Sequence, residues 1–271
     1  MIAAATITAI GAIAHAALTR TAGTARVVAR LTGSTYLDAE GALVWLGPDH
    51  ATLHPRAILA GAAAGDGDAL TFVIDGLVPW RPTPLALEVA DVATIRRGWR
   101  ALLTDLRALG TPGGFGALLA GDPLTFPLEG ARGDAGDLAR ACEQDDADAA
   151  TRAALALLGV GGGLTPSGDD FVGGALFARR LLADAGVADA VAWRHAAASI
   201  RAAAVERTHP LSATLLGDLA DGHTYASLHD LMHGLARAAP AAARDATRRL
   251  VRLGHSSGWD MLAGLGAGLA A

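Results

Sequence analysis

The chain has 271 residues, enough for one large domain or two ordinary ones, each with a substantial core. Charged residues at 18% against hydrophobic ones at 52% argue for a compact body, and a net charge of -5 without a basic cluster speaks against nucleic acid as a partner. All of the basic residues are arginine, which removes Schiff-base chemistry, a pyridoxal phosphate anchor and a P-loop lysine, and the single cysteine, Cys142, rules out an intrachain disulfide or a cysteine-based zinc site.

The N-terminal run MIAAATITAIGAIAHAALTR is apolar, but its first arginine is Arg20. A secretory signal needs positive charge ahead of the apolar stretch, so this run reads as a buried element of a cytoplasmic protein. ARVVARLTGSTYLDAEGALVWLG, LTFVIDGLVPW and LALEVADV are short β-branched runs separated by turn residues, and they read as strands and hairpins. VPWRPTPL is an extended connection, because proline removes ladder donors.

From about Ile95 the period changes. Ile95, Trp99, Leu102, Leu103, Leu106 and Leu109 share one helical stripe that Gly110 ends. The following GTPGGFGALLAGDPLTFPLEGARGDAGD is a glycine-rich connector. Helical patterns then cover 137–158, 169–185, 189–207, 211–220, 224–238, 240–253 and 257–270, several with Asp, Ser or Thr at the start and Gly near the end. The tail from Ser256 is too short to span a bilayer and is interrupted by Asp260, so no membrane partner is expected. The expected fold class is α+β: a β-rich N-terminal region, residues 1–95, packed against a larger α-helical region, residues 96–271. No internal repeat is visible.

Three polar clusters break this alanine- and leucine-rich background. The first is GVGGGLTPSGDDF, residues 159–171. Its glycines let successive backbone N–H groups face one concavity, and the helix that begins around Asp169, capped by Ser167, adds unpaired donors and partial positive charge. Thr165 and Ser167 supply hydroxyls at the same mouth. Asp169 and Asp170 would repel a bare anion unless a cation intervenes, which makes magnesium a candidate cofactor on these two carboxylates. A capped interhelical turn, its acids complementing the helix dipole, is the bland alternative. No strand precedes the loop, so an NAD-binding reading fails, and no haem is expected.

The second cluster, ERTHPLSATLLGDLADG, offers Arg207 as an anion partner, His209 as an acid or base, and Thr208 and Ser212 as hydroxyls or caps. The third, LGHSSGWDMLAGLGAGL, offers His255, Ser256, Ser257 and Asp260 at another helix start. Adjacency of His255 and Ser256 in sequence does not make a nucleophile–base pair. HDLMH places His229 and His233 one turn apart, but Asp230 stands where the zinc-peptidase pattern has Glu, and such a pair is usually solvated.

In order and spacing, GVGGGLTPSGDDFVGG, RTHPLSATLL and GHSSGWDMLAGL resemble the AllH-like family, whose members carry a G-x-G-x-G-L-T-P-S-G-D-D signature and are described as subunits of oxamate carbamoyltransferase. The resemblance spans about residues 155–271. It implies allantoin catabolism, with oxalurate and phosphate exchanging with oxamate and carbamoyl phosphate, and it implies partner subunits of a carbamoyltransferase complex. The matching positions are Gly161, Gly163, Leu164, Thr165, Pro166, Ser167, Gly168, Asp169 and Asp170, then Thr208, Ser212, His255, Ser256, Ser257, Gly258 and Asp260. Gly162 stands where many relatives have proline, and His209-Pro210 replaces other small polar residues.

Three functions compete. In the first, a small anionic substrate lies on the amides of residues 161–168, with Asp169, Asp170 and His255 catalytic and with Arg207, Thr208, Ser212, Ser256, Ser257 and Asp260 among its contacts. In the second, the chain is a non-catalytic subunit that binds partner proteins. In the third, it is a metal-dependent hydrolase using the same carboxylates with His209 or His255.

Overall fold

The computed structural model describes residues 6–31, 33–61 and 67–270, so the first residues of the apolar N-terminal run and the last residue of the tail lie outside the described residues. The chain divides into two compact units, Met1–Thr83 and Pro84–Ala271.

The first unit carries β1 (Ile7–Ile10), α1 (Ala12–Arg20), β2 (Thr24–Leu31), β3 (Ser34–Ala39), β4 (Ala42–Pro48), β5 (Ala57–Ala60) and β6 (Ala69–Thr71). They form one sheet in the order β1-β5-β4-β3-β2-β6, antiparallel except for the β4–β5 pair. The β3–β4 hairpin turns through Glu40 and Gly41, both at positive φ, and Asp38 Oδ1 accepts from Gly41 N at 2.7 Å. A two-residue turn of that hand matches the twist of its strands. Leu37, Ala39, Val44 and Leu46 then point to one face, where they bury against Ala14, Ala17 and Leu18 of α1. Each fully buried leucine there contributes about 2 kcal/mol.

Two expectations for the first third need correction. Of LTFVIDGLVPW only Leu70 and Thr71 are in a strand, the end of β6, and LALEVADV is not a strand at all, since Val89 opens a helix. Glu88 and Asp91 make a reciprocal capping box there, each side chain accepting from the other's backbone N–H, and this starts the helix well before the Ile95 stripe.

The second unit is built of α2 (Val89–Thr104), α3 (Gly116–Leu119), α4 (Arg132–Glu143), α5 (Ala147–Leu157), α6 (Ser167–Asp184), α7 (Ala190–Arg207), α8 (Pro210–Ala220), α9 (Ala226–Ala236), α10 (Pro240–Leu250) and α11 (Ser257–Leu269). The stretch expected as one helix over 137–158 is two, because Asp145 takes positive φ and Asp146 caps α5, its Oδ1 accepting from Ala149 N at 2.8 Å. Helix α6 is buried on nearly every side, with Phe171, Val172, Phe177, Ala178 and Leu182 in the core.

A repeat that the sequence conceals organises this unit. Helices α4–α5–α6 and α9–α10–α11 follow one backbone plan. Between α4 and α5, Gln144, Asp145 and Asp146 donate to Arg140, Cys142 and Ala141; between α9 and α10, Arg237, Ala238 and Ala239 donate to His233, Leu235 and Gly234. Asp145 and Ala238 are the matching left-handed residues. Past the second helix, Gly168 N donates to Val160 O as Gly258 N donates to Leu253 O. The third helices match as well: each opens Ser-Gly-x-Asp, at Ser167–Asp170 and Ser257–Asp260.

The two copies meet along α6 and α11 with reciprocal contacts. A Cβ on Gly174 would lie 2.4 Å from Met261 O, and one on the equivalent Gly264 would lie 1.9 Å from Phe171 O, itself equivalent to Met261. When residue i touches j' and j touches i', the two elements are related by a two-fold. Glycine at those positions lets the helix backbones touch and brings both helix starts side by side.

Candidate functional site

The mouths of α6 and α11 share one junction. The hydroxyls of Ser167 and Ser256 share a hydrogen bond at 3.3 Å, and those of Thr165 and Ser257 share one at 3.4 Å. The first and third sequence clusters therefore converge in space. Ser167 is not the cap of α6: Pro166 is, its φ of -54 suiting the helix entry, and Ser167 is already the first helical residue. Ser256 precedes α11 and its side chain makes no capping bond, which leaves it for the junction.

The two aspartates of the first cluster have opposite surroundings. Asp169 Oδ1 accepts from Gly159 N at 2.9 Å, and Oδ2 accepts from Ser212 Oγ at 2.6 Å and from the Thr208 hydroxyl. This carboxylate ties the glycine loop to the end of α7 and the start of α8. The second cluster thus meets the first through Asp169. Ser212 does not cap α8; His209 does, its Nδ1 accepting from Leu211 N at 3.2 Å. Arg207 is exposed and donates to Leu155 O at 2.9 Å.

Asp170 faces the other way, toward α11. It is 6% exposed, and among the described residues its Oδ2 has no hydrogen-bond partner. Burial, then the charge of Asp260, drives its carboxyl well above the ordinary range; the Ser257 hydroxyl pulls down and Asp169 adds to the rise. Asp260, its equivalent in α11, is fully buried and is pushed up to about 6 by burial. The Phe115 amide, donating to Oδ1 at 2.6 Å, opposes that rise, as do the nearby Ser256 and Ser167 hydroxyls. Those hydroxyls nonetheless form no well-aligned bond with Asp260 Oδ2, which is without a partner. Two buried acids, each with one vacant acceptor, so face each other across the junction and hold protons more tightly than free carboxylates do.

Around them the backbone offers donors. Among the described residues the amides of 161–165 donate to no protein group, and the same holds for 254–257. Gly161 and Gly163 have positive φ, which turns neighbouring N–H groups toward one side. Gly162 and Gly163 are exposed, so this run opens to solvent.

The connector before α3 escaped the sequence reading. Gly113 lies against Ser256, and Phe115 supplies the amide on Asp260. At Gly114, with φ +54, a Cβ would fall 2.1 Å from Asp260 Oδ1, so only glycine fits. The one hint in the sequence is GTPGGFG itself, a Thr-Pro-Gly turn resembling the Thr-Pro-Ser of the first cluster.

His255 is exposed and has no hydrogen-bond partner among the described residues. His229 departs from the solvated state expected of it: it is buried edge-on against Phe177 at 5.5 Å, and burial lowers its imidazole to about 4. Among the described residues no group of three or more His, Cys, Asp or Glu side chains is placed to hold a metal ion. Asp169 gives both oxygens to protein donors, so of the two carboxylates expected to hold magnesium only Asp170 keeps a vacant oxygen. No described helix is long and apolar enough to cross a membrane.

Residues 157–269 match the family model described as oxamate carbamoyltransferase subunit AllH. No curated protein and no solved structure gives a match. The matched segment runs from the end of α5 to the end of α11 and includes both acids, while the Phe115 connector lies before it.

Proposed function

Since the chain is AllH-like over the segment that carries the junction, we propose that it is an enzyme or enzyme subunit of carbamoyl transfer, and that the junction of α6 and α11 takes a small molecule with a carbamoyl group beside an anionic one. The observation that carries this reading is the buried Asp170–Asp260 pair, with one vacant acceptor oxygen on each, set beside runs of unpaired amides.

A phosphate alone fits poorly against two carboxyl groups. A carbamoyl group fits better, because its amino end donates where carboxylate oxygens accept and its carbonyl accepts where amides donate. The attached phosphate or carboxylate then lies on the exposed 161–165 amides, favoured by the start of α6. In the transfer, the amide nitrogen of oxamate attacks the carbonyl carbon of carbamoyl phosphate. The N–C bond forms, the C–O bond breaks with its electrons going to phosphate, and the nitrogen's proton passes to a carboxylate of the acid pair. Raised proton affinity suits that last step, and fixed amides stabilise the developing oxyanion. His255, at the solvent side, is the group to exchange that proton with water.

Calorimetric titration of the full chain with oxamate, carbamoyl phosphate and phosphate, with and without magnesium, tests the reading. Oxamate binding that falls about tenfold or more in Asp170→Asn and Asp260→Asn is expected, as for a buried hydrogen bond whose acceptor is replaced. Absence of binding at millimolar concentration in every arm defeats it. The family description names a subunit, which favours partner chains as a further requirement for turnover, so activity is assayed on the isolated chain and on its co-purified assembly.

A further inference from the structure

We propose that the start of α11, residues Gly254–Ser257, is a second ligand half-site equivalent to residues Gly161–Ser167, so that the junction holds two small molecules at once, each a primary carboxamide joined to an anionic group. This rests on the carbamoyl-transfer reading and extends it from one ligand to two.

The internal repeat is the first ground. A backbone hydrogen bond at the corresponding place closes both loops, Gly168 to Val160 and Gly258 to Leu253, the second loop being three residues shorter, and each leaves a run of amides without a protein acceptor among the described residues. The second ground is independent of the backbone. Asp170 Oδ2 and Asp260 Oδ2 are both unpartnered in residues 6% and 0% exposed, so each mouth owns one buried vacant acceptor. The carboxyl groups also lie between the mouths, Asp170 near Ser257 of α11 and Asp260 near both Ser256 and Ser167.

Each mouth thus presents the same set: amide donors for an anionic oxygen, and one carboxylate oxygen for an amino group. Donor and acceptor in a carbamoyl transfer share that layout, since each carries an amino-carbonyl unit on an anionic group. A two-fold frame sets the two units face to face across the acid pair, which is the arrangement in which one nitrogen meets the other carbonyl. A site for a single ligand has no use for the second copy.

The test places a negative charge at one mouth at a time on the full chain. Among the described residues a side chain at Gly162 meets nothing within 4 Å and His255, which is exposed, has no hydrogen-bond partner, so Gly162→Asp and His255→Asp leave the buried network in place. His255→Asn controls for loss of the imidazole, and unchanged melting temperatures confirm folding. With oxamate and phosphonoacetamide, a carboxamide on an anionic phosphonate that cannot transfer its carbamoyl carbon, as probes, the wild-type chain saturated with one still binds the other. Gly162→Asp weakens one probe about tenfold, His255→Asp weakens the other by a similar factor, and His255→Asn weakens neither. Competition of the two probes for one site overturns the half-site alone, as does weakening of the same probe by both charges. Failure of both probes to bind wild type overturns the carbamoyl reading and the half-site with it.

Discussion

The two copies of the three-helix plan part in chemistry at the third residue of their last helix. The first copy has Asp169 there and the second has Trp259. Asp169 is saturated by three protein donors, whereas the aspartates one residue later, Asp170 and Asp260, each keep a vacant oxygen. Burial alone does not separate these acids, since all three are at least nine-tenths buried. Saturation does. An acid whose lone pairs are filled by its own chain acts as a fastener, and one left open in the interior is waiting for a ligand or a proton.

Several measurements can break or sharpen this contrast. The largest effect is expected where the copies touch. Gly264→Ala drives a methyl group into Phe171 O and Gly174→Ala drives one toward Met261 O, each lowering stability by upwards of about 3 kcal/mol in chemical denaturation. A loss at one position without a loss at the other would break the two-fold equivalence.

Next comes Asp169→Ala, which strands the Gly159 amide and two hydroxyls and costs about 3 kcal/mol. Asp260→Asn should instead leave the chain no less stable at neutral pH, because it removes a buried charge while its amide oxygen still accepts from Phe115. If the two variants destabilise equally, the division into fastener and open acid is wrong.

The third effect depends on pH. The Asp260 carboxyl is raised on folding from 3.8 to about 6, so between those values the folded chain binds more protons than the unfolded one. Stability therefore falls as pH rises from about 4 to about 6, by roughly 2 to 3 kcal/mol for this group. Asp170, also raised, adds to the decline in the same direction. Melting curves across that range should slope downward in wild type and more gently in Asp260→Asn; parallel slopes would remove Asp260 from the account.

The smallest effect tests the helix hairpins. Asp146 caps α5 through its carboxylate, while its counterpart Ala239, at the start of α10, has no polar side chain to do so. Asp146→Ala should cost about 1 kcal/mol and Ala239→Asp should add a similar amount, read as opposite shifts in melting temperature.

How far the sequence foretold this molecule depends on the range of the signal. Helix ends were legible where local chemistry decides them, as for Ala190–Arg207 behind Asp189, or Pro240–Leu250 opening on its proline. The strand-to-helix change was placed late because Glu88 and Asp91 form a capping box without the usual Ser or Thr. Both polar clusters at the junction stood out as glycine, hydroxyl and acid together. Their meeting did not, because it is made by glycines deep in α6 and α11 whose role is to be absent as side chains. The repeat leaves only one mark in the sequence, the Ser-Gly-x-Asp that opens both third helices; the rest is a pattern of carbonyls, amides and one left-handed residue per hairpin, filled by Asp145 in one copy and Ala238 in the other. The Phe115 contribution is a backbone amide, which no residue type announces.

The Gly174 and Gly264 contacts also fix where new substrate preferences can arise. With main chain packed directly on main chain, α6 and α11 have no side chains between them whose exchange could widen the gap between their acids. A relative adapted to a longer or bulkier compound would have to change the linkers that lead into those helices, in length or in side chain, while the welded pair beneath them stayed as it is.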